Sequence, residues 1–154
     1  PNDPSNQGRA INVLVQAGLV KVREGAPKLM PTPADIDKEA SKVEVVAVDA
    51  SQTPNAYNEG RPAIINNTWL DRAGIEPGLA VFEDDPNSEE AEPYINVFAA
   101  RSEDVDDETL NKLVELWQTP EVEEAVAKDS KGTSVPVYRD KSKLNDILDR
   151  LQDK

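Results

Sequence analysis

Runs of β-branched apolar residues alternate with helical patterns along this chain, and that order constrains the fold more than any other sequence feature. The runs occupy residues 43–49, 63–65, 79–83 and 93–101, with shorter extended segments at residues 20–23 and 134–138. Helical spacing of apolar residues lies before or between them, at residues 4–17, 32–40 and 69–73. Helices that alternate with buried strands are typical of a mainly parallel sheet, so the sequence predicts the α/β class.

The last third of the chain is predicted to be helical. An amphipathic stripe from Leu110 to Trp117 follows an acidic cap at residues 106–107, D-D, and the dipeptide at residues 119–120, T-P, restarts a second helix. Asp140 is placed to cap a final amphipathic helix. The spacing of the apolar residues in these helices predicts core positions.

Composition excludes several classes of function. Lys plus Arg is 17 and Asp plus Glu is 30, so the formal charge is 17 − 30 = −13, which argues against nucleic acid and against an anionic membrane surface. The chain has no cysteine and no histidine, which removes thiolate metal sites, disulfides and the usual general base. No cofactor is predicted, and the acidic loop at residues 84–92 is expected to be solvated.

The first ten residues form the most distinctive polar stretch. Asp3 can cap a helix, Pro4 suits its first turn, and Arg9 follows one to two turns later. Free backbone N–H groups and a guanidinium at one helix start could bind a carboxylate. A simple helix cap with a solvated arginine is the alternative interpretation.

Four polar residues are candidates for binding an amino acid: Arg9, Asn6, Asn66 and Asn96. A zwitterion needs a cation for its carboxylate and amide oxygens for its ammonium group, and arginine and asparagine supply both. Asn66 could instead be a turn former at the end of a strand. Asn96 interrupts an apolar run, so it is either a structural hydrogen-bonding residue or a ligand contact.

The motifs around these residues resemble a known family. Residues 2–10, N-D-P-S-N-Q-G-R-A, followed by A-G-L at residues 17–19, resemble the N-D-P-S/T-N-x-G-R signature of methionine-binding lipoproteins of bacterial ABC importers. Residues 63–69, A-I-I-N-N-T-W, are similar to the family's A-V-I-N-T-x-Y segment, and residues 93–97, P-Y-I-N-V, are similar to its S-P-Y-V-N run. The similarity extends over residues 1–137.

The resemblance implies part of a two-lobed periplasmic-binding-protein fold, with residues 1–78 as most of lobe II and residues 79–154 as the C-terminal part of lobe I. It implies that Arg9 holds the ligand carboxylate, that Asn66 and Asn96 bind the head group, and that Asn6 is a further contact. The implied function is non-catalytic capture of methionine, or a related amino acid or dipeptide, by a hinged clamp that delivers it to ABC permease subunits.

Some features depart from the family pattern. Trp69 replaces a tyrosine, Asn67 stands where threonine is usual, and the segment after residue 137 adds a charged helix that is expected to have no role in binding. Family members carry a longer N-terminal region with a signal peptide, a lipid-attachment cysteine and the aromatic residues that enclose the methionine side chain. The full-length protein is therefore expected to be extracytoplasmic and lipid-anchored.

Two other classes of function stay open at this stage. The fold could serve as a surface interaction or sensor module that transports nothing. It could also carry a carboxylate-based enzyme, for which a strongly raised carboxyl pKa beside Arg9 would be the discriminating sign.

Overall fold

The structure is a computed structural model that describes residues 1–152, and its first helix begins where the sequence predicts. Helix α1 spans Pro4–Gln16, and the carboxylate of Asp3 caps it by accepting a hydrogen bond from the backbone N–H of Asn6 at 3.1 Å. Gly18 follows the helix with φ of +68°, a conformation that glycine adopts without a steric penalty. The predicted start and end of this helix are confirmed.

The described chain divides into two compact units, and the first, Pro1–Asp84, has an apolar core. Ile11 and Val20 are each 1% exposed and pack with Ile36. Four partly buried side chains, Leu14, Val15, Val22 and Val45, pack against these three. The apolar stripe predicted for α1 is therefore confirmed at Ile11, whereas Leu14 and Val15 lie at the edge of the core.

Gly8 lets α1 approach the chain segment that passes beside it. A Cβ atom at this position would lie 2.5 Å from the carbonyl oxygen of Leu29 and 2.7 Å from the Cα of Met30. Both neighbours are backbone atoms, which cannot rotate away as a flexible side chain can. The glycine of the N-x-G-R run is thus required by close packing of helix and backbone.

The remaining helices of the first unit are short. The α-helices are α2 at Thr53–Asn58 and α3 at Asn67–Arg72, and 3₁₀ turns lie at Pro33–Asp35, Ala50–Gln52 and Pro77–Leu79. Gly74 closes α3 with φ of +65°.

The helix predicted over residues 32–40 is wrong, since only Pro33–Asp35 is helical there. The carboxylate of Asp35 accepts hydrogen bonds from the backbone N–H and the hydroxyl of Thr32, which closes a single turn. Ile36 then leaves the helical conformation and forms an isolated antiparallel bridge with Val22. Burial of Ile36 in the core outweighs continuation of the helix.

The predicted strands do not form ladders within residues 1–152. The bridge between Val22 and Ile36 is the β pairing that these residues show, and the longer apolar runs, including residues 43–49 and 95–100, are neither helical nor paired. A strand ladder requires a neighbouring strand whose N–H and C=O groups face it. Local sequence can favour an extended conformation, but it cannot supply that neighbour.

The second unit begins at Asp85 and contains three longer helices. They are α4 at Glu108–Trp117, α5 at Pro120–Asp129 and α6 at Lys141–Gln152, preceded by 3₁₀ turns at Glu89–Tyr94 and Ser102–Asp104. Asp107 and Asp140 cap α4 and α6 through hydrogen bonds from backbone N–H groups, as predicted. Within the part of the chain that the structure describes, no helix is both long and apolar enough to cross a membrane.

Candidate functional site

The polar residues at the start of α1 form an ordered hydrogen-bonded chain. The Asp3 carboxylate oxygen Oδ1 accepts from the backbone N–H of Asn6 at 3.1 Å and from its side-chain Nδ2 at 2.9 Å. A helix cap alone would need only the first of these bonds. The second fixes which way the Asn6 amide points, because an ionised carboxylate can only accept hydrogen bonds.

Asn66 joins this chain from a position 60 residues later. Its backbone has the extended conformation expected before α3, with φ of −69° and ψ of 145°, and its side chain makes no capping hydrogen bond. Instead its Nδ2 donates to Oδ1 of Asn6 at 3.0 Å. The structure therefore brings together Asn6 and Asn66, two of the four residues that the sequence nominates.

The polarity of this chain determines what Asn66 presents. The side-chain Nδ2 of Asn6 donates to Asp3, so its Oδ1 faces Asn66. Asn66 must therefore donate to that oxygen from its own Nδ2. The Oδ1 atom of Asn66 is left buried and has no hydrogen-bond partner among the described residues. A buried unsatisfied acceptor costs about 1–3 kcal/mol, which a ligand N–H group would recover.

Arg9 lies one turn further along α1 and is held by an aspartate. Its Nε donates to Oδ2 of Asp84 at 2.7 Å and its Nη2 donates to Oδ1 at 3.2 Å, with the two side chains 36% and 21% exposed. This two-bond geometry is the one by which a guanidinium recognises a carboxylate. The prediction that the loop at residues 84–92 is simply solvated is therefore wrong at Asp84.

Asn96 lies in the second unit, where its side chain is exposed. It comes directly after Ile95, whose backbone N–H donates to the carbonyl oxygen of Glu92 at 3.3 Å. The 3₁₀ turn Glu89–Tyr94 thus leads into it. A ligand contact by Asn96 stays a prediction from the family resemblance.

Glu92 is a second exception to the solvated acidic loop. It is 8% exposed, and its Oε2 accepts a hydrogen bond from Nη2 of Arg150 at 2.5 Å. Oε1 lies 3.8 Å from Nζ of Lys143 and 4.0 Å from Nε of Arg139. The bond from Arg150 is the largest cause that lowers the pKa of Glu92, and the charges of Lys143 and Arg139 act in the same direction.

Sequence reasoning missed Asp84 and Glu92 because nothing near them in sequence distinguishes them from their acidic neighbours. The partner of Asp84 is 75 residues away. For Glu92 a signal did exist in the final helix, where Lys143, Ile147 and Arg150 are spaced i, i+4 and i+7. Two cations on the face that buries its apolar residue indicate a buried acidic partner.

The arrangement in the first unit suits binding. Arg9 carries a cationic, planar donor group that is bound to Asp84, and Asn66 carries a buried neutral acceptor that has no partner among the described residues. These are the two groups that a carboxylate and an ammonium group require. Both groups belong to the first unit, and their use by a ligand stays a prediction.

Comparison with known proteins places the chain in a family. The NlpA lipoprotein family matches residues 1–138. The D-methionine-binding lipoprotein MetQ of Escherichia coli K12 is 33% identical over 138 residues, which are 88% of this chain and 49% of that protein. Lipoprotein 28 of the same organism is 32% identical over 139 residues, with the same shares covered. The chain thus spans about half the length of the curated relatives it matches.

Solved structures agree with the sequence matches. Protein PG110 of Staphylococcus aureus is similar with a TM-score of 0.84 and 36% identity, covering 98% of this chain and 59% of that one. The methionine-binding protein MetQ gives a TM-score of 0.72 and 31% identity over 91% of this chain and 56% of that chain. A nutrient-binding protein of Burkholderia cenocepacia bound to methionine gives 0.74 and 32%, over 90% and 57%.

These neighbours have the two-lobed α/β fold of periplasmic substrate-binding proteins, and the chain carries part of that fold. The predicted class is therefore confirmed, although residues 1–152 contain only an isolated β bridge. The prediction of a non-catalytic protein agrees with relatives that are binding proteins. Because the family profile covers nine-tenths of its length, the chain belongs to the NlpA lipoprotein family.

Proposed function

We propose that the protein is an extracytoplasmic solute-binding component that captures methionine, or a closely related amino acid or dipeptide, for an ABC importer. The observation that carries this proposal is the buried, unsatisfied Oδ1 of Asn66, which Asn6 and Asp3 orient and which lies in the same unit as the carboxylate-binding Arg9. Such an acceptor is costly unless a donor arrives to use it.

In the proposed complex, the ligand carboxylate replaces Asp84 on the Arg9 guanidinium, and Oδ1 of Asn66 accepts a hydrogen bond from the ammonium group. Asn6 acts by fixing the orientation of Asn66, since it occupies the Nδ2 of that residue. Asn96 is proposed as a further head-group contact on the strength of the P-Y-I-N run alone. No group in this set needs to gain or lose a proton, which suits reversible capture.

Methionine is proposed as the ligand because similar proteins are named for it. MetQ of E. coli is described as D-methionine-binding, and the structure from B. cenocepacia contains methionine. Delivery to permease subunits and attachment through a lipid are suggested by two similar proteins: MetQ is named a lipoprotein, and a protein of Coxiella burnetii is described as the periplasmic substrate-binding protein of an ABC transporter. Both are proposals for this chain.

Isothermal titration with L-methionine tests the proposal, using the longest natural form of the protein that contains these residues. Removal of a charged hydrogen-bonding group costs about 1.5–3 kcal/mol, so we expect Arg9→Ala to weaken binding by about 10- to 100-fold. Arg61→Ala is the matched control, since Arg61 is an exposed arginine of the same unit. Equal affinity in the wild type and Arg9→Ala would exclude the carboxylate role, and a wild type that binds no amino acid would exclude the function.

Modified ligands separate the two head-group contacts. Methionine methyl ester lacks the anionic carboxylate, so Arg9→Ala should change its affinity much less than that of methionine. 4-(Methylthio)butanoic acid lacks the amino group and so has no N–H to donate, and Asn66→Ala should affect it least. If both variants weakened all three ligands equally, the assignment of Arg9 and Asn66 to separate ends of the head group would be wrong.

A further inference from the structure

The C-terminal segment, residues 139–152, is a part of the molecule that the proposed function does not use. It includes helix α6, and it follows the region that matches the family, which ends at residue 138. The S. aureus structure nevertheless covers 98% of the chain, so the similarity in structure continues into this segment. The family resemblance predicts no role in binding for this segment.

Ion pairs hold this segment against a single residue, Glu92. Three cations supplied by the segment, Arg139, Lys143 and Arg150, lie within 4.0 Å of the two carboxylate oxygens of Glu92. Ile147, between two of these cations in α6, is 6% exposed, as is Ala91 beside Glu92. They are the buried hydrophobic residues of the described part of the second unit, and they lie in the two elements that the pairing of Glu92 with Arg150 joins.

Glu92 is connected through the backbone to the predicted ligand contact. Its carbonyl oxygen accepts from the N–H of Ile95, and Asn96 is the next residue. The intervening Pro93 lies inside the 3₁₀ turn Glu89–Tyr94, where its ring fixes φ, and the hydroxyl of Ser88 caps the same turn by accepting from Ala91 at 3.2 Å. A turn with so few free dihedrals transmits the position of Glu92 to Asn96.

We propose that residues 139–152 act as a brace, which holds the Glu92 turn and thereby fixes the position of Asn96 for ligand binding. Glu92 and Arg150 are positioning residues in this proposal, because they act on the ligand only through Asn96. The inference rests on the proposed function, in which Asn96 contacts the head group. It adds a determinant of affinity that lies outside the region shared by the family as a whole.

Two changes release the brace in different ways. Removal of residues 139–154 deletes it, whereas Glu92→Gln keeps the full chain and removes the charge to which the three cations bind. Glu90→Gln is the matched control, because Glu90 is an exposed carboxylate in the same turn. Arg150→Lys keeps the positive charge and should restore part of what Arg150→Met loses.

The experiment measures three quantities on each variant: methionine affinity, thermal midpoint, and the NMR order parameters of residues 95 and 96. We expect truncation and Glu92→Gln to weaken methionine binding at least tenfold and to lower the order parameters, with Glu90→Gln unchanged. A purely structural role would lower the thermal midpoint and leave affinity and order parameters at wild-type values, which would overturn the brace.

The outcomes also distinguish this inference from the function on which it rests. If the wild type binds methionine and both variants bind it equally well, the brace is wrong and the proposed function stands. If the wild type does not bind methionine, the proposed function fails. The order parameters then still decide whether the segment fixes residue 96, and unchanged values after truncation would reject the brace.

Discussion

The two units of the molecule are stabilised by different interactions. The first buries Ile11, Val20 and Ile36 in an apolar cluster. The second buries few apolar residues, and its helix α6 is held by ion pairs to the carboxylate of Glu92. Most of its large apolar side chains are exposed by 38% or more: Val97, Phe98, Val105, Leu110, Leu113, Leu116, Trp117, Val135, Tyr138 and Leu148.

The two units therefore depend on two kinds of interaction, apolar burial in the first and ion pairs in the second. Burial of apolar surface is non-directional and depends little on pH or salt, so the first unit should keep its fold under varied conditions. A buried carboxylate among cations depends on the protonation state and has strict geometric requirements. The second unit should therefore respond to charge changes that leave the first unit intact.

Substitutions in the apolar side chains give the largest contrast. Ile11→Ala should lower the free energy of unfolding of the first unit by about 2–5 kcal/mol, because a fully buried aliphatic side chain is lost and a cavity remains. Leu113→Ala should change the free energy of unfolding of the second unit by no more than about 0.5 kcal/mol, since that side chain is 51% exposed. Urea unfolding followed by tryptophan fluorescence can report each unit separately, because Trp69 lies in the first and Trp117 in the second.

Each measurement uses a background in which the other tryptophan is replaced by phenylalanine. Similar losses of stability for Ile11→Ala and Leu113→Ala would contradict the contrast, since they would mean that α4 contributes a core of comparable value.

A steric change tests whether the first unit is as closely packed as its buried residues indicate. Gly8→Ala would place a methyl group 2.5 Å from the Leu29 carbonyl oxygen, and overpacking of this kind costs about 1–3 kcal/mol. Gly78→Ala is the control, because a Cβ atom there meets nothing within 4 Å. The measurement is the same urea titration with Trp69 as the probe. Equal stability of the two variants would show that α1 can move away from Leu29 at little cost.

Local signals in the sequence predicted the helices well. Asp3, Asp107 and Asp140 each cap a helix that begins where the pattern places it, because a cap depends on residues within one turn. The predicted helix over residues 32–40 fails for the opposite reason. Its end is decided by the pairing of Ile36 with Val22, which is a tertiary interaction that local spacing does not reveal.

In the candidate site, too, features set by nearby residues could be predicted and features set by distant contacts could not. The motif around Arg9 and the pairing of Asn6 with Asn66 fit the sequence-based hypothesis, although the ligand contacts remain predictions. Asp84 and Glu92 were not distinguished by their own neighbours, because carboxylates surround both of them in an acidic loop, and the signal for Glu92 lay in the distant final helix. What distinguishes them is a cation brought close by the fold from 75 and 58 residues away.

Acidification should destabilise the second unit at a pH at which the first unit stays folded. The pKa of Glu92 is lowered in the folded protein, chiefly by the hydrogen bond from Arg150, from an ordinary value of 4.5. Its charged form therefore stabilises the fold above pH 4.5, and this contribution is lost as the pH falls through the lowered pKa. The groups that face Glu92 are the cations Arg139, Lys143 and Arg150.

Hydrogen exchange of the α6 amides measures this effect. Exchange corrected for its intrinsic pH dependence should accelerate below pH 4.5 while amides around Ile11 stay protected, and Glu92→Gln should exchange rapidly at all pH values. Simultaneous loss of protection in both regions would show that acid unfolds the chain globally and would refute a difference between the units.

The smallest expected effect concerns the ion pair of the first unit. Arg9 and Asp84 are 36% and 21% exposed, so water screens their attraction, and pairs of this kind contribute about 0.2–1 kcal/mol. Asp84→Asn should therefore lower the stability reported by Trp69 by less than Ile11→Ala does, and Glu83→Gln, an exposed neighbour, should lower it least. The loss should also shrink as salt is added, because screening weakens the pair that is removed. If Asp84→Asn destabilised the first unit as much as Ile11→Ala, charge would organise both units and the contrast between them would disappear.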